Sequence, residues 1–378
     1  MKKPRPELWL LLVSVVVTLL VAEFVVSRLF PQPTYGRLLR DSPRIFAPSD
    51  TMPYALEPGA ADTFVTSEFR IPIRINSLGY RDDEFPRRKT ARLRILAIGD
   101  SFTFGYAGTS DEAYPNMMER ELQLLLGEND IEVINAGFAA CQYPDTYYLY
   151  LKNRGLALAP DLITVGLFVG NDLDHDLAGE NVWAEVDDQG LPVRIENTLA
   201  HVENGYWVSR NRSARYRYPI LRDSHIAQAL ISLLRSVGPE KPRTYNQWVY
   251  RKDYEPRTDE AIEKVEGLLL AMAGLARERG IPIVFVVMPT REQVYPEQYD
   301  FSADAFMQDH DLDKPQRLLG EFFDGNGLVW LNLTPAFRAA PRDTLLYYAL
   351  DQHWNERGND LAGRTIARFL VERGLAAK

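Results

Sequence analysis

The chain has a single cysteine, Cys141, in 378 residues. That excludes an internal disulfide and any metal site built from a cysteine cluster. Positive charge is also short: 43 Lys and Arg stand against 52 Asp and Glu, a formal net charge of −9. The balance argues against a nucleic-acid partner, because phosphate binding draws on clustered Lys and Arg. No internal repeat is visible. Hydrophobic residues at 46% and charged residues at 25% are ordinary for a globular protein. The length suits one large domain or two small ones.

Long apolar runs are scarce, and the longest one opens the chain. In MKKPRPELWLLLVSVVVTLLVAEFVVSRLF, Lys2, Lys3 and Arg5 precede a run from Leu8 to Val26 that only Glu23 interrupts. At about 1.5 Å per residue this run spans roughly 30 Å, the thickness of a bilayer core. Cleaved signal peptides carry shorter apolar stretches of about 7–15 residues, and Val25-Val26-Ser27 is a poor cleavage site. Residues 1–28 are therefore expected to form a transmembrane anchor, with Glu23 close enough to one end to reach the interface. The basic lead predicts the N-terminus inside and the globular part outside, on the periplasmic side. Arg28, Arg37, Arg40 and Arg44 follow the run and weaken that preference.

Residues 29–90, rich in Pro, Arg and polar residues, are expected to be a lead segment that packs on the main domain. Strand-like pieces such as FRIPIRIN (69–76) lie within it. From residue 91 apolar runs of strand length recur at 93–98, 131–134, 162–168, 281–288 and 328–333. They are nearly continuous rather than alternating, as strands buried on both faces are. Helical patterns separate several of them: one ends at Gly127, one runs from a Thr258 cap to Gly280, and one closes the chain. Alternating strand and helix predicts an α/β fold with a parallel sheet. Residues 176–257 break the rhythm with a hairpin pattern, a short helix and polar, tyrosine-rich stretches, and are expected to be an insertion near the site.

Open α/β sheets bind ligands beyond the carboxyl ends of their strands. Gly99-Asp100-Ser101 follows the first strand, NAGFAA (135–140) the second and VGND (169–172) the third. LDQHWN (350–355) comes some fifteen residues after the fifth. A nucleophile, a glycine, an amide and an Asp/His pair thus fall on one edge. Asp100 is expected to hold the turn. NDLDHD (171–176) contains three Asp and His175 but lacks the ligand order of a calcium loop, so no metal is expected. Tyr143, Tyr147, Tyr148 and Tyr150 suit helix packing better than sugar stacking. Arg291 follows the fourth strand and could meet a substrate carboxylate or a salt-bridge partner.

The order GDS, NAG, GND and a C-terminal Asp/His pair resembles the SGNH/GDSL hydrolase superfamily over roughly 91–378, the insertion excepted. The resemblance implies a flavodoxin-like five-stranded parallel sheet flanked by helices. It also implies serine catalysis without a cofactor: Ser101 as nucleophile, His353 as base and Asp351 as its partner. The oxyanion donors would be the N–H groups of Ser101 and Gly137 and the Asn171 amide. Many members have Asp-x-x-His, whereas here only Gln352 separates Asp351 from His353. This Asp-x-His-Trp form resembles the polysaccharide O-acetylation branch, in which alginate-acetylating proteins fall, and it makes Trp354 a candidate substrate contact beside Arg291. It leaves open whether Asp351 or a backbone carbonyl orients the imidazole. The expected function is a membrane-anchored esterase or O-acyltransferase acting on acetyl esters of a cell-surface or exported polysaccharide. A lipid or thioester hydrolase would need an apolar acyl groove, which the polar insertion does not suggest. A non-catalytic polysaccharide-binding protein would not need all of Ser101, Asn171, Asp351 and His353.

Overall fold

The computed structural model describes residues 6–32, 34–36, 39, 42–66, 68–140, 142–173, 182–210, 218–235, 247–299, 309–343 and 345–376. Five apolar runs form the main sheet: β1 (Leu93–Gly99), β2 (Ile131–Gly137), β3 (Leu162–Phe168), β4 (Ile283–Met288) and β5 (Val329–Asn332). They pair in the order β2-β1-β3-β4-β5, every neighbour parallel. This is the flavodoxin-like doubly wound order, with its switch point between β1 and β3.

The helices used below are α1 (Pro6–Leu29), α2 (Ser101–Phe104), α3 (Tyr114–Leu126), α4 (Pro144–Asn153), α5 (His225–Arg235), α6 (Pro256–Glu278), α7 (Lys314–Gly325), α8 (Thr334–Ala339) and α9 (Glu356–Glu372). Side chains alternate along a strand, so β1 feeds two cores. Leu96 and Ile98 join the layer with α4, α6 and α7, while Leu93, Ile95 and Ala97 join the layer with α3, α8 and α9. α6 begins before the expected Thr258 cap. Pro256, which lacks the N–H that a first helical turn leaves unpaired, opens it after Glu255, and Thr258 is buried inside.

The chain divides into two compact units. Residues 44–208 and 244–378 carry the sheet; residues 1–43 and 209–243 form the other unit. Of the segment expected at 29–90, residues 44–90 thus belong with the sheet. Of the insertion expected at 176–257, the hairpin Val182–Val186/Pro192–Asn197 belongs with the sheet, while α5 lies in the other unit. In that second unit α1 includes Trp9–Leu29, 21 residues long and apolar enough to cross a membrane.

Small residues bring α2 down onto the sheet. Gly99 and Gly137 sit side by side on β1 and β2, and Gly166 lies on β3. A Cβ on Gly137 would stand 2.1 Å from the Phe104 nitrogen, and one on Gly99 2.2 Å from Thr103 Oγ1. The glycines therefore form a floor that α2 touches with its backbone at Gly137 and with the Thr103 side chain at Gly99 and Gly166.

The lead segment holds this edge from outside through three side chains. Arg81 is fully buried; its guanidinium donates to the Phe104 carbonyl at 2.9 Å and to those of Gly105 and Gly108. It fixes the chain after α2. Asp82 accepts from the Asn135 N–H at 2.9 Å and from Asn116 Nδ2 at 3.2 Å. Glu68, just before the second strand of the hairpin Ala61–Val65/Arg70–Arg74, accepts three consecutive N–H groups: Ala349 and Leu350 at 2.8 Å and Asp351 at 2.6 Å.

Two predictions follow from these clasps. Burial pushes the Asp82 carboxyl up to about 7 against the opposing Asn135 N–H, and the charge of Glu119 adds to the rise. Between about pH 4 and 7 the folded chain then holds a proton that the unfolded chain has released, so stability falls as pH rises through that window. Urea melts at pH 5 and pH 8 should differ by at least on the order of 1–3 kcal/mol, and Asp82→Asn should reduce the difference, the raised Asp100 and Asp172 carboxyls keeping the remainder. Hydrogen bonds to a charged group contribute about 1.5–3 kcal/mol, so Glu68→Ala should speed amide exchange at 349–351 by about tenfold or more. Exchange in β1 and β3 should stay unchanged.

Candidate active site

A serine directly after a strand is normally a turn residue, and here the turn is built by its neighbour. The Asp100 side chain caps α2, accepting from the Phe102 N–H at 2.9 Å, and the Asp100 carbonyl accepts from Phe104 N at 2.9 Å. Ser101 becomes the first residue of α2, where a backbone N–H has no acceptor within the helix. Both its hydroxyl and its N–H are thereby held at the carboxyl end of β1, at the switch point of the sheet.

The loop before α9 brings the imidazole. His353 Nε2 lies 2.8 Å from Ser101 Oγ, and His353 Nδ1 lies 2.5 Å from Asp351 Oδ1. The short Asp-x-His spacing works because Gln352, at φ 71°, adopts the left-handed conformation and folds the carboxylate back on the ring. Asp351 itself, rather than a backbone carbonyl, therefore partners Nδ1. The ring is flanked by Tyr106 and Phe102, with centroids 4.7 and 4.9 Å away. Asn355 caps α9 through the Arg357 and Gly358 N–H groups, and the His353 carbonyl accepts from Tyr348 N at 2.9 Å.

Asn171 arrives from the turn after β3. Its Nδ2 donates to Asp100 Oδ2 at 3.0 Å, which leaves the second amide hydrogen of the same nitrogen for another acceptor. Asp172 sets that turn: it accepts from Tyr147 Oη and from the Phe168 N–H, each at 2.8 Å. Burial raises the Asp100 carboxyl above its ordinary range, opposed by the Phe102 N–H, Asn171 and the His353 charge. Burial raises Asp172 well above it too, and the nearby Asp100 charge adds to the rise.

Three expected roles change. The Gly137 N–H donates to Asn135 Oδ1 at 3.1 Å, so it is engaged at the end of β2 and not offered to the serine. Its lack of a side chain serves the approach of α2. Trp354 is 1% exposed and packs against Phe102 and Phe337, so it is core rather than a substrate contact. Arg291 forms no ion pair with an acid among the described residues: its guanidinium donates to the Ala349 and Tyr348 carbonyls and, at 2.7 Å, to Gln298 Oε1. It grips the carbonyl side of the segment whose N–H groups Glu68 takes. Tyr143, Tyr147, Tyr148 and Tyr150 are buried as packing residues. Among the described residues no group of three or more His, Cys, Asp or Glu could hold a metal, and residues 174–176 of NDLDHD lie outside the described set.

Glu68, Asp172 and Tyr147 were not singled out as site residues in the sequence. Asp172 had a signal, as the last letter of VGND. Glu68 had none, since its partners are backbone groups more than 280 positions away.

Residues 244–378 match the family model described as SGNH hydrolase-like domain, acetyltransferase AlgX. The match takes in β4, β5, Asp351 and His353. No curated protein matches the chain. Among solved structures, a lipase/acylhydrolase from Enterococcus faecalis is 14% identical, covering 74% of this chain and 96% of its own, at a TM-score of 0.40. An acetyl xylan esterase is 13% identical over 74% of this chain and 99% of its own, at 0.38. An acetylxylan esterase from Geobacillus stearothermophilus is 16% identical over 76% and 96%, at 0.37. Residues 244–378 are thus similar to an SGNH hydrolase-like domain, and β1 to β3, outside the matched third, complete the same parallel sheet.

Proposed function

We propose that the protein is a membrane-anchored serine enzyme that moves acetyl groups as esters, with a cell-surface or exported polysaccharide as the acetyl-bearing or acetyl-accepting partner. The observation that carries this reading is the continuous link from Asp351 Oδ1 through His353 to Ser101 Oγ, at 2.5 and 2.8 Å. The acetyl group is supported by the acetyltransferase named in the matching family description. The anchor is supported by the length of α1, and the periplasmic side by the basic residues that precede it.

In the first half-reaction Ser101 Oγ attacks the ester carbonyl carbon while its proton passes to His353 Nε2. The Asp351 carboxylate stabilises the imidazolium and remains unprotonated. The carbonyl oxygen, now negative, faces the Ser101 N–H and the free hydrogen of Asn171 Nδ2. As the carbon–oxygen bond to the leaving alcohol breaks, His353 returns the proton to that oxygen, and an acetyl-Ser101 ester remains. In the second half an incoming hydroxyl gives its proton to His353 and attacks the acetyl carbon; collapse releases the new ester or, with water, acetate. Ser101 regains its proton.

A fluorophosphonate probe should label the wild-type chain and not Ser101→Ala. Turnover of p-nitrophenyl acetate should fall by about 10³-fold or more in Ser101→Ala and His353→Ala. Asn171→Ala should lower kcat by about 10²–10³ with little change in KM. Incubation with an acetyl ester, followed by peptide mass spectrometry, should find the acetyl group on Ser101. An unmodified Ser101 in active enzyme would sink the reading, and a preference for palmitoyl over acetyl esters would redirect it to lipid.

A further inference from the structure

The unit formed by residues 1–43 and 209–243 contains a second apolar surface besides α1. Helix α5 is 11 residues long and shows Leu230, Leu233 and Leu234 at 56, 65 and 76% exposure. The i, i+3, i+4 spacing puts the three leucines on one stripe. Gln228, on another side of the helix, is completely buried and donates to the Leu221 carbonyl. A water-facing helix would carry polar residues where these leucines stand.

The start of α5 is fastened to the end of α1. Glu23, six positions before Leu29, accepts from Ser224 Oγ at 2.8 Å and from the N–H groups of His225 at 2.5 Å and Ile226 at 3.1 Å. These are donors that a helix start leaves without intrahelical acceptors. A second tether lies just past α1, where the Gln32 N–H donates to His225 Nδ1 at 2.9 Å and the Gly36 N–H to Asp223 Oδ1 at 3.1 Å. The carboxylate that interrupts the apolar run is thus consumed within the unit. α5 is fixed at the level where the run ends. In a chain of net charge −9, the sequence leading into α5, RNRSARYRYPILR (210–222), contains five arginines and no acid.

We propose that α5 lies in the boundary between headgroups and acyl chains of the bilayer that α1 crosses, with Leu230, Leu233 and Leu234 inserted. The occupant is lipid because the leucine stripe is pinned to the end of α1, whose apolar residues from Trp9 to Val21 are exposed. This rests on the reading of α1 as an anchor. A helix of this kind seats its apolar face about 5–10 Å into the boundary, and basic flanks add attraction to anionic headgroups.

The test uses the full chain with Cys141→Ala, reconstituted in phosphatidylcholine/phosphatidylglycerol liposomes. Nitroxide labels are placed one at a time at Leu20→Cys, Leu233→Cys and Gln189→Cys. Collision rates with oxygen and with a nickel chelate report depth. The expected order is a deep label at 20, a shallow membrane label at 233 and a fully aqueous label at 189. Glu23→Gln should raise nickel access at 233 about threefold or more, since a neutral amide accepts these N–H groups less strongly, while 20 stays unchanged. Nickel access at 233 equal to that at 189, with 20 buried, overturns the proposal and leaves the anchor standing. Nickel access at 20 overturns the anchor reading itself. A label at 233 shielded from both reagents and dipolar-broadened identifies a second copy as the occupant and also overturns the proposal.

Discussion

A carboxylate shut away from water governs the carboxyl edge of the sheet. Asp100 is 2% exposed, and taking such a group out of solvent is costly unless donors replace the lost water. Two donors do so: the Phe102 N–H and the Asn171 amide. Satisfying one side chain therefore starts α2 at Ser101 and holds Asn171 on the adjacent strand's turn. Ser101 and the Asn171 amide are placed by the same side chain. The glycine floor beneath α2 is the steric counterpart, because any side chain at 99 or 137 would displace the helix that Asp100 has capped.

His353 comes from the loop before α9, whose Leu346, Tyr347 and Trp354 are buried in the core. The loop's backbone polar groups are gripped from two directions by opposite charges. Glu68 takes the N–H groups of residues 349–351, and Arg291 takes the carbonyls of residues 348 and 349. Holding a peptide segment by its dipoles fixes its path without constraining which side chains it carries. Asp351 and His353 can then face Ser101 while Trp354, the next residue, turns into the core. Preorganisation of this kind is what proton transfer over fixed distances requires.

The sheet was legible because continuous apolar runs such as LITVGLF have few other folded solutions, and parallel order follows from the helices between them. Ser101, Asn171, Asp351 and His353 were legible because each closes or follows a strand run and so falls on one edge. The misassignments share a cause. Gly137, Trp354 and Arg291 also stand near strand ends, but sequence position does not say which atoms a neighbour has already claimed. Asn135 takes the Gly137 N–H, Phe102 and Phe337 enclose Trp354, and loop carbonyls occupy Arg291. The reverse error hid Glu68 and Arg81. Both act on backbone atoms, which have no residue identity to match, and both lie in a segment whose composition suggested only a polar lead-in.

That segment also limits how the protein can be shortened. Deleting the N-terminal helix invites a start at residue 91, where the apolar strands begin. Such a chain would lack the acid that satisfies residues 349–351 and the guanidinium that answers the carbonyls of 104, 105 and 108. Its sheet would be intact while its histidine loop lost its hold. The truncation point that respects these bonds lies at or before Arg44, where the sheet-bearing unit begins.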